Sequence, residues 1–294
     1  MSFLSIRNLT VRLKGGPALL RRVSLEVGAG QVRGLVGESG AGKSMIGRAV
    51  LGILSPSVEI SGGEIWLDGV NLLALTPVQR RKRIGAMTAL IPQDPLTALN
   101  PSHRIGPQIT DRLVDILGWR RADAMDRAAQ LLAEVQIPDP ARVMRSYPHE
   151  LSGGMRQRVL IASAFAAEPK LIVADEPTTA LDVTVQKQIL KLIAGLQARH
   201  NTAILFVTHD LGVVSKLCQS LSVLYQGMVV EDAETRSFFA APRHAYSAAL
   251  LRATPKYTDP FASLLPVPDA VIAAVRAEVA AFEDAALEHG GRDV

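Results

Sequence analysis

Eight consecutive residues, Gly37-Glu38-Ser39-Gly40-Ala41-Gly42-Lys43-Ser44, narrow the choice of fold more than any other stretch of the chain. They fit G-x-x-x-x-G-K-[ST] throughout, a pattern that works only where a strand leads in and a helix leads out. Both flanks agree: Gln31-Val32-Arg33-Gly34-Leu35-Val36 reads as the end of a strand, and residues 43–54 read as a helix. In such a turn the glycines let backbone N–H groups close around phosphate oxygens, and the helix presents its positive N-terminal end. Lys43 then reaches the β- and γ-phosphates of a nucleotide, and the Ser44 hydroxyl can ligate Mg²⁺. A chance Gly-rich turn is the competing reading, and the strand-before, helix-after setting argues against it.

The rest of the chain supplies the elements such a loop needs. Residues 3–13 and 23–36 read as strands broken by Gly15-Gly16-Pro17, and Gly63-Glu64-Ile65-Trp66-Leu67 reads as β-structure closed by an Asp68-Gly69 turn. Residues 105–150 carry a helical period, with Ile109, Leu113, Ile116 and Leu117 on one face and Ala128, Leu131, Leu132 and Val135 on another. The unbroken apolar runs Leu171-Ile172-Val173-Ala174 and Ala203-Ile204-Leu205-Phe206-Val207 suit strands covered on both faces of a parallel sheet. A helical stretch at 182–199 between them makes a βαβ unit. The fold class implied is α/β: a P-loop NTPase core of mostly parallel sheet flanked by helices, with a small antiparallel β subdomain and an inserted helical subdomain. The expected domain is 1–254, with its helical subdomain at about 95–160. A tail at 255–294 follows, in which Pro255, Pro260, Pro266 and Pro268 precede a helix whose stripe is Val271, Val275, Val279 and Phe282.

Four further places carry chemistry. Asp175 and Glu176 end an apolar strand, the edge where α/β proteins place ligands. Asp175 suits a Mg²⁺ shell, and Glu176 can orient or deprotonate an attacking water. Ser152-Gly153-Gly154 opens a helix, so Ser152 caps it and the same N-terminus offers a second anion cradle far from the first. One nucleotide held by Lys43 has no evident use for that second cradle, whereas a symmetric pair of subunits does. Gln93 and His209 are single residues and carry little alone, although His209 follows a core strand at the edge that Asp175 also occupies.

Bulk properties restrict the remaining choices. The 294 residues are 48% hydrophobic, enough for a large core, and the net charge of +4 suits polyanions without choosing among them. A single cysteine, Cys218, excludes a disulfide framework and a Cys-rich metal site. The N-terminus lacks the apolar segment of a secretory signal, and no apolar run reaches the ~18 residues of a membrane-spanning helix. The basic run Arg80-Arg81-Lys82-Arg83 reads as a solvated face, and no nucleic-acid-binding module accompanies it.

In this order the motifs resemble the ATP-binding cassette (ABC) ATPases over roughly residues 3–250, and within them the ATP-binding subunits of bacterial dipeptide and oligopeptide importers. The tracts that carry the likeness are Val36 to Gly40, Gln93 to Pro101, Leu151 to Val159, Ala174 to Thr184, Tyr225-Gln226-Gly227 and Pro242-Arg243-His244-Ala245-Tyr246. The resemblance implies an ATPase that uses ATP and Mg²⁺, with Gly37 to Ser44 and Ser152 to Gly154 on the nucleotide and Ser44, Gln93 and Asp175 on the metal. It implies Glu176 as the catalytic carboxylate, His209 as the switch histidine, Gln93 as the link to a membrane partner and Ala180-Leu181-Asp182 as a loop at a dimer interface. It implies as partners a second ATP-binding subunit, two transmembrane permease subunits and, indirectly, a solute-binding protein, with no nucleic acid. The location implied is peripheral, on the cytoplasmic face of the inner membrane. Peptides are the implied cargo; nickel, glutathione or another small solute is the alternative, and a soluble ABC ATPase acting on nucleic acid is the alternative of a different class. Three departures stand out: Leu13 where an aromatic residue usually stacks on adenine, Pro92 where an aromatic commonly precedes Gln93, and no cysteine cluster near the C-terminus.

Overall fold

Residues 2–179, 181–254 and 266–290 are described by the computed structural model, with side chains up to 282; Ala180, Pro255 and Pro260 lie outside the described residues. Strands in chain order are β1 (Ser2–Leu13), β2 (Ala18–Gly28), β3 (Val32–Val36), β4 (Val58–Leu67), β5 (Val70–Asn71), β6 (Thr88–Ile91), β7 (Leu171–Asp175), β8 (Ala203–Val207), β9 (Ser220–Tyr225) and β10 (Met228–Glu234). The chain packs as two compact units.

One unit is built on Val27–Val32 and Leu72–Val207. Its strands β6, β7 and β8 pair in parallel, Thr88 opposite Leu171 and Leu171 opposite Ala203. Leu171 to Ala174 and Ala203 to Val207 are buried throughout, as expected of apolar runs covered on both faces. The crossover between them is the helix Val183–His200, which buries Ile189, Leu192, Ile193 and Leu196 at helical spacing. Asp182 caps it, its carboxylate accepting from the Thr184 and Val185 amides, and Asn201 ends it in the left-handed conformation.

Helices Ile105–Asp111, Arg121–Glu134, Pro140–Arg145 and Gly153–Ala166 lie between β6 and β7 in sequence. Ala128, Leu131, Leu132 and Val135 are fully buried there. The other stripe needs correction. Ile109 and Leu113 are buried, but Ile116 is 57% exposed. Residues Arg112–Ile116 are wound as a π-helix, whose wider turn shifts the face presented by each later side chain.

The other unit comprises Ser5–Glu26, Arg33–Asn71 and the described residues from Thr208 onward. In it β9 runs parallel to β3, and β10 returns antiparallel to β9. Strands β2, β1, β4 and β5 form a separate sheet in that order, with β4 and β5 antiparallel. The span 23–36, read from sequence as one strand, is two. The Gln31 amide bonds back to the Gly28 carbonyl and Gly30 takes φ 64°, so the chain turns between β2 and β3. Gly30 leaves no room for a side chain, because a Cβ there would lie 2.0 Å from the Asn201 amide oxygen. The helix expected at 43–54 is shorter, Lys43–Leu51, ending on Gly52 in the left-handed conformation.

Arg33 is buried on β3 and donates to both carboxylate oxygens of Asp232, at 2.7 and 2.9 Å, and to the hydroxyls of Ser220 and Ser222. Burial lowers its pKa and Asp232 opposes that shift, so the pair riveting β3 to β9 and β10 stays charged. The helix Asp269–Gly290 buries Val275 and Val279 and sets Glu278 3.0 Å from His244 Nε2.

The β9–β10 turn makes a stability prediction. Gln226 and Gly227 both take positive φ, 43° and 79°, the requirement of a type I′ hairpin. The Gly227 amide donates to the Ala41 carbonyl and its own carbonyl accepts from Arg21, both at 2.8 Å. A Cβ at Gly227 would stand 2.1 Å from the Leu19 carbonyl oxygen. Gly227→Ala is therefore expected to cost about 3 kcal/mol of unfolding free energy from strain and overpacking. Denaturant titration of the purified subunit reads this, and a loss below about 0.5 kcal/mol would mean that the turn relaxes without strain.

Candidate functional site

In the unit holding β3, five buried residues of that strand run directly into the phosphate loop. Gly37, Gly40 and Gly42 take φ of 156°, 81° and 100°. A Cβ on Gly37 would meet the Leu224 carbonyl oxygen at 2.3 Å, and one on Gly42 would meet Leu20 at 2.7 Å. Gly37 and Gly42 therefore have no room for a side chain, Gly40 holds a φ that favours glycine, and Ser39 and Gly40 at the tip are exposed. Gly42 is the N-cap of the helix Lys43–Leu51 and offers no side-chain cap, which leaves the first N–H groups of that helix for an anion. Lys43 is only 4% exposed, and its ammonium donates to the Gly37 and Glu38 carbonyls at 2.8 Å each. The cation is thus held at the mouth of its own loop. Ser44 is half-buried on the same turn of helix.

His209 is exposed in this unit, on a short turn that is well fixed. The Thr208 amide donates to the Leu35 carbonyl, two residues before the phosphate loop, and Asp210 caps the next helix through the Gly212 and Val213 amides. His209 is therefore presented beside the strand that enters the loop. Tyr246, the last residue of the tract Pro242 to Tyr246, is buried edge-on to Tyr225 with ring centroids 4.9 Å apart. Its hydroxyl finds no hydrogen bond of good geometry; burial, and then the neighbouring Glu38 carboxylate, push its pKa up. Leu13, at the place where an aromatic residue would stack on adenine, is the exposed last residue of β1. Burial pushes the Cys218 thiol up to about 12, so this side chain packs as an apolar group rather than a nucleophile.

The other unit holds the acidic group. Asp175 is the last residue of β7, and Glu176 follows with φ 46°, a left-handed conformation that is rare for a residue with a side chain. The Glu176 amide is tied to the Val207 carbonyl on β8 at 3.0 Å. Its carboxylate accepts from the Thr179 hydroxyl at 2.9 Å and stands 3.5 Å from the Gln93 amide nitrogen. Gln93 and Glu176, 83 positions apart in sequence, are thus brought together at the ends of β6 and β7. In the sequence, the signal for Thr179 is only its three-residue spacing from Glu176 within a Pro-Thr-Thr turn.

Ser152 caps the helix Gly153–Ala166, its hydroxyl accepting from the Met155 amide at 3.3 Å. Ser152 and Gly153 are exposed, and a Cβ on Gly153 would meet nothing within 4 Å, so the helix N-terminus opens outward. Among the described residues no cluster of three or more His, Cys, Asp or Glu could hold a metal ion by itself, and no helix is long and apolar enough to cross a membrane.

A protein-family model described as ABC transporter matches residues 20–179, more than half of the chain. The chain belongs to the ABC transporter family. Its activity is that of an ABC ATPase. Among relatives of this ABC ATPase, a probable peptide ABC transporter ATP-binding protein of Sinorhizobium fredii, y4tR, is 44% identical over 93% of this chain and 83% of its own length. The dipeptide transport ATP-binding protein DppD of Escherichia coli is 42% identical over 92% of this chain and 84% of its own length. A dimeric structure of the ATP-binding cassette MJ0796 bound to ADP and Pi superposes with a TM-score of 0.69 at 25% identity, over 79% of this chain and 99% of that one. The P-loop NTPase fold with its β subdomain, expected from sequence, is that of these cassettes.

Proposed function

We propose that this chain is the ATP-binding and ATP-hydrolysing subunit of a membrane ABC importer that energises peptide uptake through separate permease subunits. The observation that carries the hydrolytic part is the Glu176 carboxylate, fixed just beyond the end of β7 by Thr179 and Gln93. Likeness to the y4tR and DppD proteins over more than nine-tenths of the chain supports the peptide part.

In this reading the amides of Gly37 to Ser44 and the Lys43 ammonium hold the ATP phosphates, with Glu38, Ser39 and Ala41 contributing backbone. Ser44, Gln93 and Asp175 offer hard oxygen donors of the kind Mg²⁺ takes, and the ion, when bound, offsets charge on the β- and γ-phosphates. Glu176 accepts a proton from the water that attacks the γ-phosphorus as the bond to the bridging oxygen of ADP breaks. His209 donates to the γ-phosphate. Ser152, Gly153 and Gly154 serve the nucleotide of a second ATP-binding subunit, because one nucleotide needs only one cradle. Two permease subunits and, indirectly, a solute-binding protein complete the assembly at the cytoplasmic face of the inner membrane. Residues 1–254 form the nucleotide-binding domain, with its helical subdomain at about 95–160. Nickel or glutathione import remains the alternative cargo reading.

The test has two arms. Mixed dimers pairing a Ser152→Arg subunit with a Lys43→Ala subunit keep one intact composite site or none, depending on which subunit supplies each half. Both changes then fall on one shared site, so such dimers should retain about half the turnover of wild type, whereas either homodimer retains almost none. Equal loss in the mixture would mean that the sites are not shared. For cargo, membranes carrying the assembled transporter should take up labelled dipeptide in an ATP-dependent way that excess unlabelled dipeptide abolishes; nickel-specific uptake instead would overturn the peptide reading.

A further inference from the structure

Gln157 lies in the first turns of the helix Gly153–Ala166, is 1% exposed, and is among the few polar side chains buried in the unit. Its amide nitrogen donates to the Pro177 carbonyl at 2.8 Å, across 20 positions of sequence. Pro177 directly follows Glu176. The loop it belongs to is a run of tight turns, the Thr179 amide bonding to the Glu176 carbonyl and the Leu181 amide to the Thr178 carbonyl, and it ends on the Asp182 cap. This bond joins the helix that bears Ser152 at its N-cap to the residue that follows Glu176.

From this geometry we infer that Gln157 is a positioning residue for Glu176, coupling the carboxylate of one nucleotide site to the cradle that the same subunit offers to the other. The inference rests on the reading above, in which Ser152 to Gly154 serve the partner's nucleotide. The physical argument is local. Glu176 sits at a φ that an L-residue holds only when its surroundings over-determine it. The backbone on its N-terminal side is fixed by β7, and the Gln157 bond fixes its C-terminal side. A shift of the Ser152 end of the helix, when a γ-phosphate docks there, therefore reaches Pro177 through a buried amide whose hydrogen bond is costly to break. Gln157 is buried and bonds to the Pro177 carbonyl. It acts through Glu176.

The decisive measurements are steady-state ATPase kinetics of the assembled transporter carrying Gln157→Met, which keeps the side-chain volume and removes the donor. The expected result is a fall in kcat of about tenfold with the KM for ATP within about twofold, the pattern of an interaction realised in the transition state. In the Glu176→Gln background the same change should cost nothing further, because the group it positions is already disabled. An unchanged kcat, a raised KM with kcat intact, or a second, multiplicative loss in the Glu176→Gln background would each overturn the inference. If Gln157→Met folds poorly, Gln157→Leu, also without a donor and well suited to a buried site, carries the same expectation. The two levels fail differently: normal turnover by Glu176→Gln alone removes the underlying reading, whereas normal turnover by Gln157→Met alone removes only this coupling.

Discussion

Glu176→Gln should leave ATP binding intact while steady-state hydrolysis falls by about a thousandfold, within the range attributed to general-base catalysis. The substitution keeps size and shape. A glutamine side-chain oxygen can still accept from the Thr179 hydroxyl, which the carboxylate does at 2.9 Å, so the loop stays in place. What is lost is the ability to take a proton from water. On the proposed reading, in which ATP is shared between two subunits, a variant that binds without hydrolysing should accumulate as a nucleotide-bound dimer. Size-exclusion chromatography with ATP, alongside phosphate-release assays, reads both effects. Turnover near that of wild type would show that the base is another group. Thr179→Val, which removes only the hydroxyl that steadies the carboxylate, gives the same defect in milder form.

Lys43→Ala acts one step earlier and should abolish binding rather than chemistry. The ammonium is buried and bridges two carbonyls of the loop, each at 2.8 Å, so it shapes the loop and supplies its positive charge. Removing it leaves the Gly37 and Glu38 carbonyls without that donor and the triphosphate without its cation. ATP affinity is expected to drop at least about a hundredfold, close to 3 kcal/mol. Arginine is a poor replacement: its planar guanidinium needs more room than a loop in which even a Cβ on Gly37 or Gly42 would collide with Leu224 or Leu20. Equilibrium binding of a fluorescent ATP analogue, with circular dichroism to verify the fold, checks the prediction. Affinity within about threefold of wild type would remove Lys43 from the phosphate site.

Much of this was legible because the relevant signals are local. The phosphate loop announces itself within eight residues, and the apolar runs at 171–174 and 203–207 suit the buried parallel strands they become. The helix stripe Ala128, Leu131, Leu132 and Val135 is buried as its spacing requires. Illegible features share one property, dependence on something distant or on a departure from regular geometry. Ile116 fits the stripe on a 3.6-residue period and is exposed because Arg112–Ile116 is π-wound. The span 23–36 looked continuous because apolar residues recur along both β2 and β3, and only the turn at Gly30 against Asn201 divides them.

By itself, then, the sequence determined that this chain builds a phosphate loop between a strand and a helix, follows it with an acidic pair at a strand end, and carries a second Gly-rich helix N-terminus. Periodicity and the φ requirements of glycine are written in neighbouring residues, so no fold is needed to read them. Tertiary structure alone decided which groups steady those motifs: Thr179 and Gln93 on the Glu176 carboxylate, Gly227 on Ala41, and Gln157 on Pro177. Such contacts depend on where strand ends and helix ends arrive in space, and a buried hydrogen bond between residues 20 positions apart leaves no periodic trace in the chain.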